Sequence, residues 1–385
     1  MKEHLFSCVA ILCLAAGVRG DDWPQWMGPG RDNVWRETGI LETFPKAGPK
    51  VKWRFKVSNG YSGPAVADGL VFVTDFVAEG DTQKDNFARK TVSGKERVFC
   101  LDAAEGTVRW WHDYPCSYSV SYPNGPRCTP VVAGGKVYTL GAEGDLICFE
   151  AKSGQVHWSR DLKKDYNIPT PLWGFAGHPL IDGDRLICLV GGPGSVAVAF
   201  NKDTGAEIWK ALSAKEPGYS PPVIMDTAGV RQLLIWHPES LNGLDPVTGK
   251  VLWTMKQETV NGTSIMAPRF AGDKIFIGAW QRKGQLLKVD SDKATTIWKG
   301  TRDTSVYPVN STPYLEKDHI YGVCSEGELR CVRMSDGERL WETFAPTSGK
   351  QAGSGTAHLI KNGDRVFIAS EGGRSGHREI EPEGL

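Results

Sequence analysis

Leu244-Asp245-Pro246-Val247-Thr248-Gly249-Lys250-Val251-Leu252-Trp253 is the stretch that decides the fold. An apolar strand ends at Leu244, and Asp245 offers its side-chain oxygen to a turn. Gly249 supplies the positive φ that a tight reversal needs, and Trp253 follows four residues later on the returning strand. The same design recurs five more times, ending at Trp110, Trp158, Trp209, Trp298 and Trp341. Glycine stands four residues before the tryptophan in every copy but one, where Ala294 replaces it. Side chains alternate along a strand, so each indole is expected on one fixed face, filling the space between neighbouring sheets.

A second landmark precedes each of these hairpins. Pro64, Pro130, Pro179, Pro222, Pro268 and Pro313 each open an apolar run that turns and resumes, and a seventh copy begins at His358. Proline is tolerated at the start of a strand because no ladder donor is needed there. Each unit therefore holds four strands in two hairpins, and a period of about 45 residues with four strands is that of a β-propeller. The fold class is all-β: a propeller of about seven four-stranded blades, eight being the alternative. There are seven first hairpins but only six tryptophan hairpins after them. The missing strand is expected from Val51-Lys52-Trp53-Arg54-Phe55-Lys56-Val57, which would join the last blade and close the ends of the chain. The expected organisation is a secretory leader over 1–20, an N-terminal segment over 21–50, the propeller over 51–372 and a tail over 373–385. Beyond Ile368 the apolar alternation fades, so the tail either makes a poor third strand or leaves the last blade incomplete.

Lys2 followed by the apolar run Leu5–Ala16 reads as a signal peptide, too short to span a bilayer. A periplasmic or secreted product with no membrane span follows from that reading, and a monomer is expected. The 45 basic and 45 acidic residues balance, which argues against a nucleic-acid partner. Seven cysteines lie beyond the leader. Cys100, Cys148 and Cys331 share one repeat position and read as core residues, whereas Cys116 and Cys128 are the best disulfide candidates. No Cys-x-x-Cys pair and no histidine spacing suited to a metal is present, so no metal site is expected. No Gly-x-Ser-x-Gly element marks a serine nucleophile. Catalytic residues are not assignable.

Function is expected on the face that carries the loops between blades, which are longer and more varied than the Asp–Gly turns opposite. The polar insertion 76–96 should project from that face. Counting three residues back from each strand-opening proline places Tyr61, Arg127, Tyr219 and Asn310 around the channel mouth, with Trp173, His178 and His237 nearby. These seven are the candidate ligand-binding residues.

Leu244–Trp253 and Phe200–Trp209 resemble the tryptophan-docking motif of the pyrroloquinoline-quinone (PQQ) repeat family, found in quinoprotein dehydrogenases and in the propeller lipoprotein of the outer-membrane barrel-assembly machinery. Asp22-Trp23-Pro24-Gln25-Trp26-Met27-Gly28-Pro29-Gly30-Arg31 and Asn124–Pro130 look more specifically like the PQQ-like propellers of planctomycete-type bacteria. The resemblance covers residues 22–372 and implies the fold. On activity it leaves two readings. In one, the chain is a binding or scaffold module taking a protein, peptide, carbohydrate or small molecule on its inter-blade face. In the other it is a PQQ-dependent alcohol dehydrogenase of the polyvinyl-alcohol type, with PQQ and Ca2+ as cofactors and Arg127, Tyr219 and Asn310 clamping the quinone carboxylates. The family's dehydrogenases hold PQQ against a disulfide of adjacent cysteines, bind calcium through Glu, Asn and Asp, and usually have eight blades. This chain has no adjacent cysteine pair.

Overall fold

The computed structural model describes residues 20–46, 48–82, 86–281, 284–370 and 375–379. All of the expected leader except Gly20 lies outside them. Seven antiparallel sheets follow one another along the chain, six of four strands and one of three. Blade 1 is built from Ala65–Ala67, Leu70–Ala78, Lys90–Asp102 and Val108–Val120, and blade 7 from Ala357–Asn362, Arg365–Ser370 and Ser375–Glu379. The inner strands of neighbouring blades meet, as Ala65–Ala67 meets Val131–Ala133 and that strand meets Leu180–Asp182. Every strand-opening proline stands one residue before its inner strand. The seven-blade count is therefore the observed one. The third strand of blade 7 comes from within the stretch expected as tail.

The repeated turn does what its residues dictate, with one addition. The Asp245 carboxylate accepts from Val247 N and Thr248 N at 2.7 and 2.9 Å, and Gly249 has φ 73°. In all six tryptophan hairpins the outer strand carries a bulge beside the indole: Gly243 faces Trp253 but Leu244 faces Val251, which skips Leu252. Plain alternation does not foresee this, and the extra residue re-aims the tryptophan. Four of these indoles then reach forward to the next blade. Trp110 Nε1 donates to Ala151 O at 2.8 Å, Trp158 to Lys202 O at 3.0 Å, Trp209 to Pro246 O at 3.1 Å and Trp298 to Met334 O at 2.8 Å. The glycine of the receiving turn lies under the indole, where a Cβ on Gly249 would sit 2.6 Å from Trp209. Trp253 does not reach forward, and its receiving turn is the one with Ala294. Its Nε1 instead bonds Gln232 Oε1 in its own blade at 2.5 Å.

Trp53 takes the seventh tryptophan position. Its Nε1 donates to Ala103 O at 3.0 Å, and Gly106 of blade 1 lies beneath it. The surrounding residues 51–57 form no strand, however. Their neighbours tie this stretch to blade 1, through Ser58 N to Asp75 Oδ2 at 2.5 Å and a bridge between Asn59 and Phe76. The Cys116–Cys128 disulfide expectation is corrected: both thiols are free and buried, and they lie in separate core clusters. Cys100, Cys148 and Cys331 are fully buried, opposite their tryptophans.

The central channel is filled by the chain's own N-terminal segment. Trp23 pairs with Val66 on the inner edge of blade 1, its N–H donating to Val66 O at 2.7 Å and its carbonyl accepting from Val66 N at 2.9 Å. Pro24 O accepts from Val132 N of blade 2 at 2.8 Å. The segment rises to a tight tip at Met27–Arg31 and then descends along blade 7. There Lys361 N donates to Asn33 O at 2.8 Å and Trp35 N donates to Lys361 O at 2.7 Å.

Candidate functional site

Blade 1 stands above its neighbours on the inter-blade face, as expected from its insertion. Its second and third strands pair as far as Ala78–Gly94, and its third and fourth as far as Lys90–Val120. Phe76 stacks on Tyr118 at 4.0 Å, and Arg89 Nη1 and Nη2 each donate at 2.8 Å, to Ser119 O and Thr170 O. The insertion is thereby folded over the connection between blades 2 and 3.

That folding assembles one aromatic cluster from three blades. Phe87 meets the edge of Trp173 at 5.6 Å, and Trp173 meets Tyr219 at 5.5 Å. Trp173 N donates to the Tyr219 hydroxyl at 3.4 Å. Arg127 sits beneath with its guanidinium over Tyr61 at 5.3 Å and over Tyr118 at 5.8 Å. Four of its five N–H donors go to loop carbonyls: Nε to Trp173 at 2.9 Å, Nη1 to Gly125, and Nη2 to Tyr122 at 2.7 Å and Ser121 at 3.2 Å. Burial lowers its pKa. Tyr61 is 47% exposed and Phe87 48%. So four of the candidate residues, Tyr61, Arg127, Trp173 and Tyr219, come together.

The other three do not join them. His178 stacks on Trp26 at 4.7 Å, and its Nδ1 accepts from Thr129 N at 3.0 Å. Burial, with the Arg31 cation beside it, holds its imidazole neutral. His237 is buried and pairs with Ser240 Oγ at 2.9 Å through Nε2. Its Nδ1 accepts from Glu239 N at 3.3 Å, so Nε2 carries the hydrogen and donates. The hydroxyl in turn donates to Asn242 Oδ1 at 3.2 Å. A histidine that donates to the serine cannot take its proton, so this pair is a structural one. Asn310 is exposed and bonds Thr356 Oγ1 at 3.2 Å on the blade 7 side.

Near the cluster lies a group of acidic side chains that the sequence did not announce. Glu96 is buried and accepts from Tyr114 Oη, from Tyr118 Oη at 2.5 Å and from Ala142 N at 3.0 Å. Burial raises its pKa, against the pull of those donors. Asp145 lies directly across a strand pair from Asp161, and its pKa is pushed up to about 6 by burial, Glu96 and Asp161. Phe87 and Glu96 were missed because only the length of the insertion, not its register, is written in the sequence, and Asp145 because its acidic neighbours Glu96 and Asp161 come from other strands. Among the described residues no group of three His, Cys, Asp or Glu is placed to hold a metal ion. No described helix is long and apolar enough to cross a membrane.

Comparison with known proteins agrees with this architecture. The outer membrane protein assembly factor BamB of Shewanella oneidensis is 25% identical over 267 residues, covering 64% of each chain. The chain spans less than two thirds of the length of the curated relatives it matches first. BamB from Moraxella catarrhalis superposes with a TM-score of 0.54 at 16% identity, over 84% of this chain and 95% of that one. Quinohemoprotein alcohol dehydrogenase from Comamonas testosteroni gives 0.55 at 15% identity, over 90% and 76%. Both structures share the fold. The model of one repeat family, described as outer membrane protein assembly factor BamB, matches residues 94–220 and 192–383, and the chain belongs to that PQQ-repeat propeller family.

Proposed function

We propose that this protein is an exported, non-catalytic propeller that binds a polypeptide partner on its inter-blade face, as a scaffold within a cell-envelope assembly. The observation that carries the reading is the cluster itself. Tyr61 and Phe87 stand half exposed around Trp173, and Arg127 is locked beneath them by bonds to loop carbonyls. Rigid aromatic groups with a buried support are the anchors that protein interfaces use, because they bring large contact area at low entropic cost. The relatives named as assembly factors support the polypeptide class of partner.

PQQ with calcium does not fit these residues. The guanidinium of Arg127, the side chain expected to clamp a quinone carboxylate, has four of its five N–H donors on loop carbonyls. Tyr219 is buried and Asn310 bonds away from it. The channel they would border is filled by residues 22–37. A metal bridging a quinone would need hard oxygen ligands held rigidly.

The test places a photo-crosslinking residue at Tyr61 or Phe87 in the producing cell, with Ile208, an exposed outer-strand residue, as control. Discrete protein adducts from positions 61 and 87 but not 208 are expected, and Trp173→Ala should abolish them. Saturable PQQ absorbance with calcium-dependent, alcohol-driven dye reduction would overturn the reading.

A further inference from the structure

Every blade of a propeller presents a bare strand edge to the central channel, and those edges offer unpaired backbone groups. Here residues 22–37 use them. Besides the pairings with Val66, Val132 and Lys361, Arg31 fans its guanidinium onto carbonyls at the start of two further inner strands. Nη1 donates to Pro179 O at 2.9 Å, and Nη2 to His178 O at 3.3 Å and Pro222 O at 3.4 Å. Blade 5 answers in the other direction, with Arg269 donating to Arg31 O at 3.1 Å and Asp32 O at 3.2 Å. Six of the seven blades thus bond one segment. The tip is tight: Met27 is buried, Arg31 lies over Trp26 at 5.6 Å, and a Cβ on Gly28 would lie 3.0 Å from Trp23.

The outer rim closes more thinly. Residues 51–57 form no strand, and Asn362 of blade 7 instead bonds Trp35 O and Glu37 O, at 2.9 and 2.8 Å. We propose that the channel is a peptide-binding site whose resident ligand is the chain's own residues 22–37, and that this segment clasps the first blade to the last. Recognition is by strand addition at both ends and capture of backbone carbonyls by Arg31 between them. A separate peptide of the same sequence is therefore a ligand for the emptied channel.

The segment leaves the channel through Thr38 and Gly39, both exposed, and a side chain on Gly39 would meet open space. A protease recognition sequence inserted after Gly39 lets the protein fold whole and then be cut. After cutting, the segment should stay bound through dilution and size exclusion, and the melting temperature should stay near the uncut value. Displacing it by mild denaturant and refolding without it should lower the melting temperature. A synthetic 22–37 peptide should restore that loss saturably, and the Arg31→Ala peptide should need at least tenfold more. The Arg31→Ala change in the whole protein gives the same comparison without cutting. A cut segment that falls away on dilution would overturn the binding site. An unchanged melting temperature after its removal would overturn the clasp.

Discussion

Replacing Gly249 by valine probes the contact between one blade's indole and the next blade's turn. Gly249 sits at φ 73°, a region that costs a β-branched residue about 1–3 kcal/mol. Its new Cβ would lie 2.6 Å from the Trp209 indole, too close to keep, with both ring and turn backbone walled in. Trp209 is buried, and moving it forfeits the bond from Nε1 to Pro246 O, about 1 kcal/mol net. The sum is a loss of about 2–4 kcal/mol, read as a lower urea midpoint by far-ultraviolet circular dichroism at unchanged slope. Ala294→Gly is the internal control: Trp253 bonds within its own blade, so the change should cost no more than about 1 kcal/mol. In Trp209→Ala/Gly249→Val the clash has no partner, so the double variant should lose less than the two single losses added. A Gly249→Val loss under about 0.5 kcal/mol, within ordinary surface substitutions, would refute the packing argument.

Asp145→Asn should stabilise the protein at pH 8 by on the order of 1–3 kcal/mol. The folded Asp145 holds its proton up to about pH 6, so its contribution is complete below the unfolded carboxyl range and disappears as pH rises through about 6. Melting curves at pH 4 and pH 8 check this, and the gain should vanish at pH 4. Gln232→Ala leaves Trp253 Nε1 and Asp290 O without their buried partner and should cost about 2–3 kcal/mol by urea titration. Arg127→Lys should fail to rescue the loss seen with Arg127→Ala, because one ammonium cannot reach four carbonyls in a fixed fork. Melting temperature and crosslinking at Tyr61 should fall together in both.

The blades were legible because their signals are local. A proline before an inner strand and an Asp-to-Gly turn before a tryptophan are satisfied within about ten residues of chain. Two features hid from that kind of reading. The bulge beside each indole inserts a residue without changing composition. The filling of the channel uses backbone bonds at both ends and, between them, side chains such as Arg31 and Arg269 bonded to carbonyls of distant residues, a pairing no local pattern reveals, so Asp22–Arg31 stood out as a resemblance and not as a structure. The candidate site was half legible for the same reason. Stepping back three residues from each proline found Tyr61, Arg127 and Tyr219. It could not say that Arg127 points into its own loops, or that His237 is held inward by Ser240. Phe87 entered the cluster only because a 13-residue strand pair carries the insertion across two blades.

The forward reach of the tryptophans gives assembly a direction. Trp53, Trp110, Trp158, Trp209 and Trp298 each dock on a carbonyl 36 to 50 positions further along, so the contact forms as soon as the next blade appears. Contacts of such short separation favour fast, progressive folding from the N-terminal side. The bond between Asn362 and Trp35 spans 327 positions and belongs to the other extreme. For a flexible chain, bringing such ends together costs about 5 kcal/mol of loop entropy, and the finished blades between them reduce that by presenting the last edge in place. Until then residues 33–37, among the earliest to emerge, are an unmated strand. A second chain at the same stage is the competitor for that edge, so refolding yield should fall with protein concentration before any blade is destabilised.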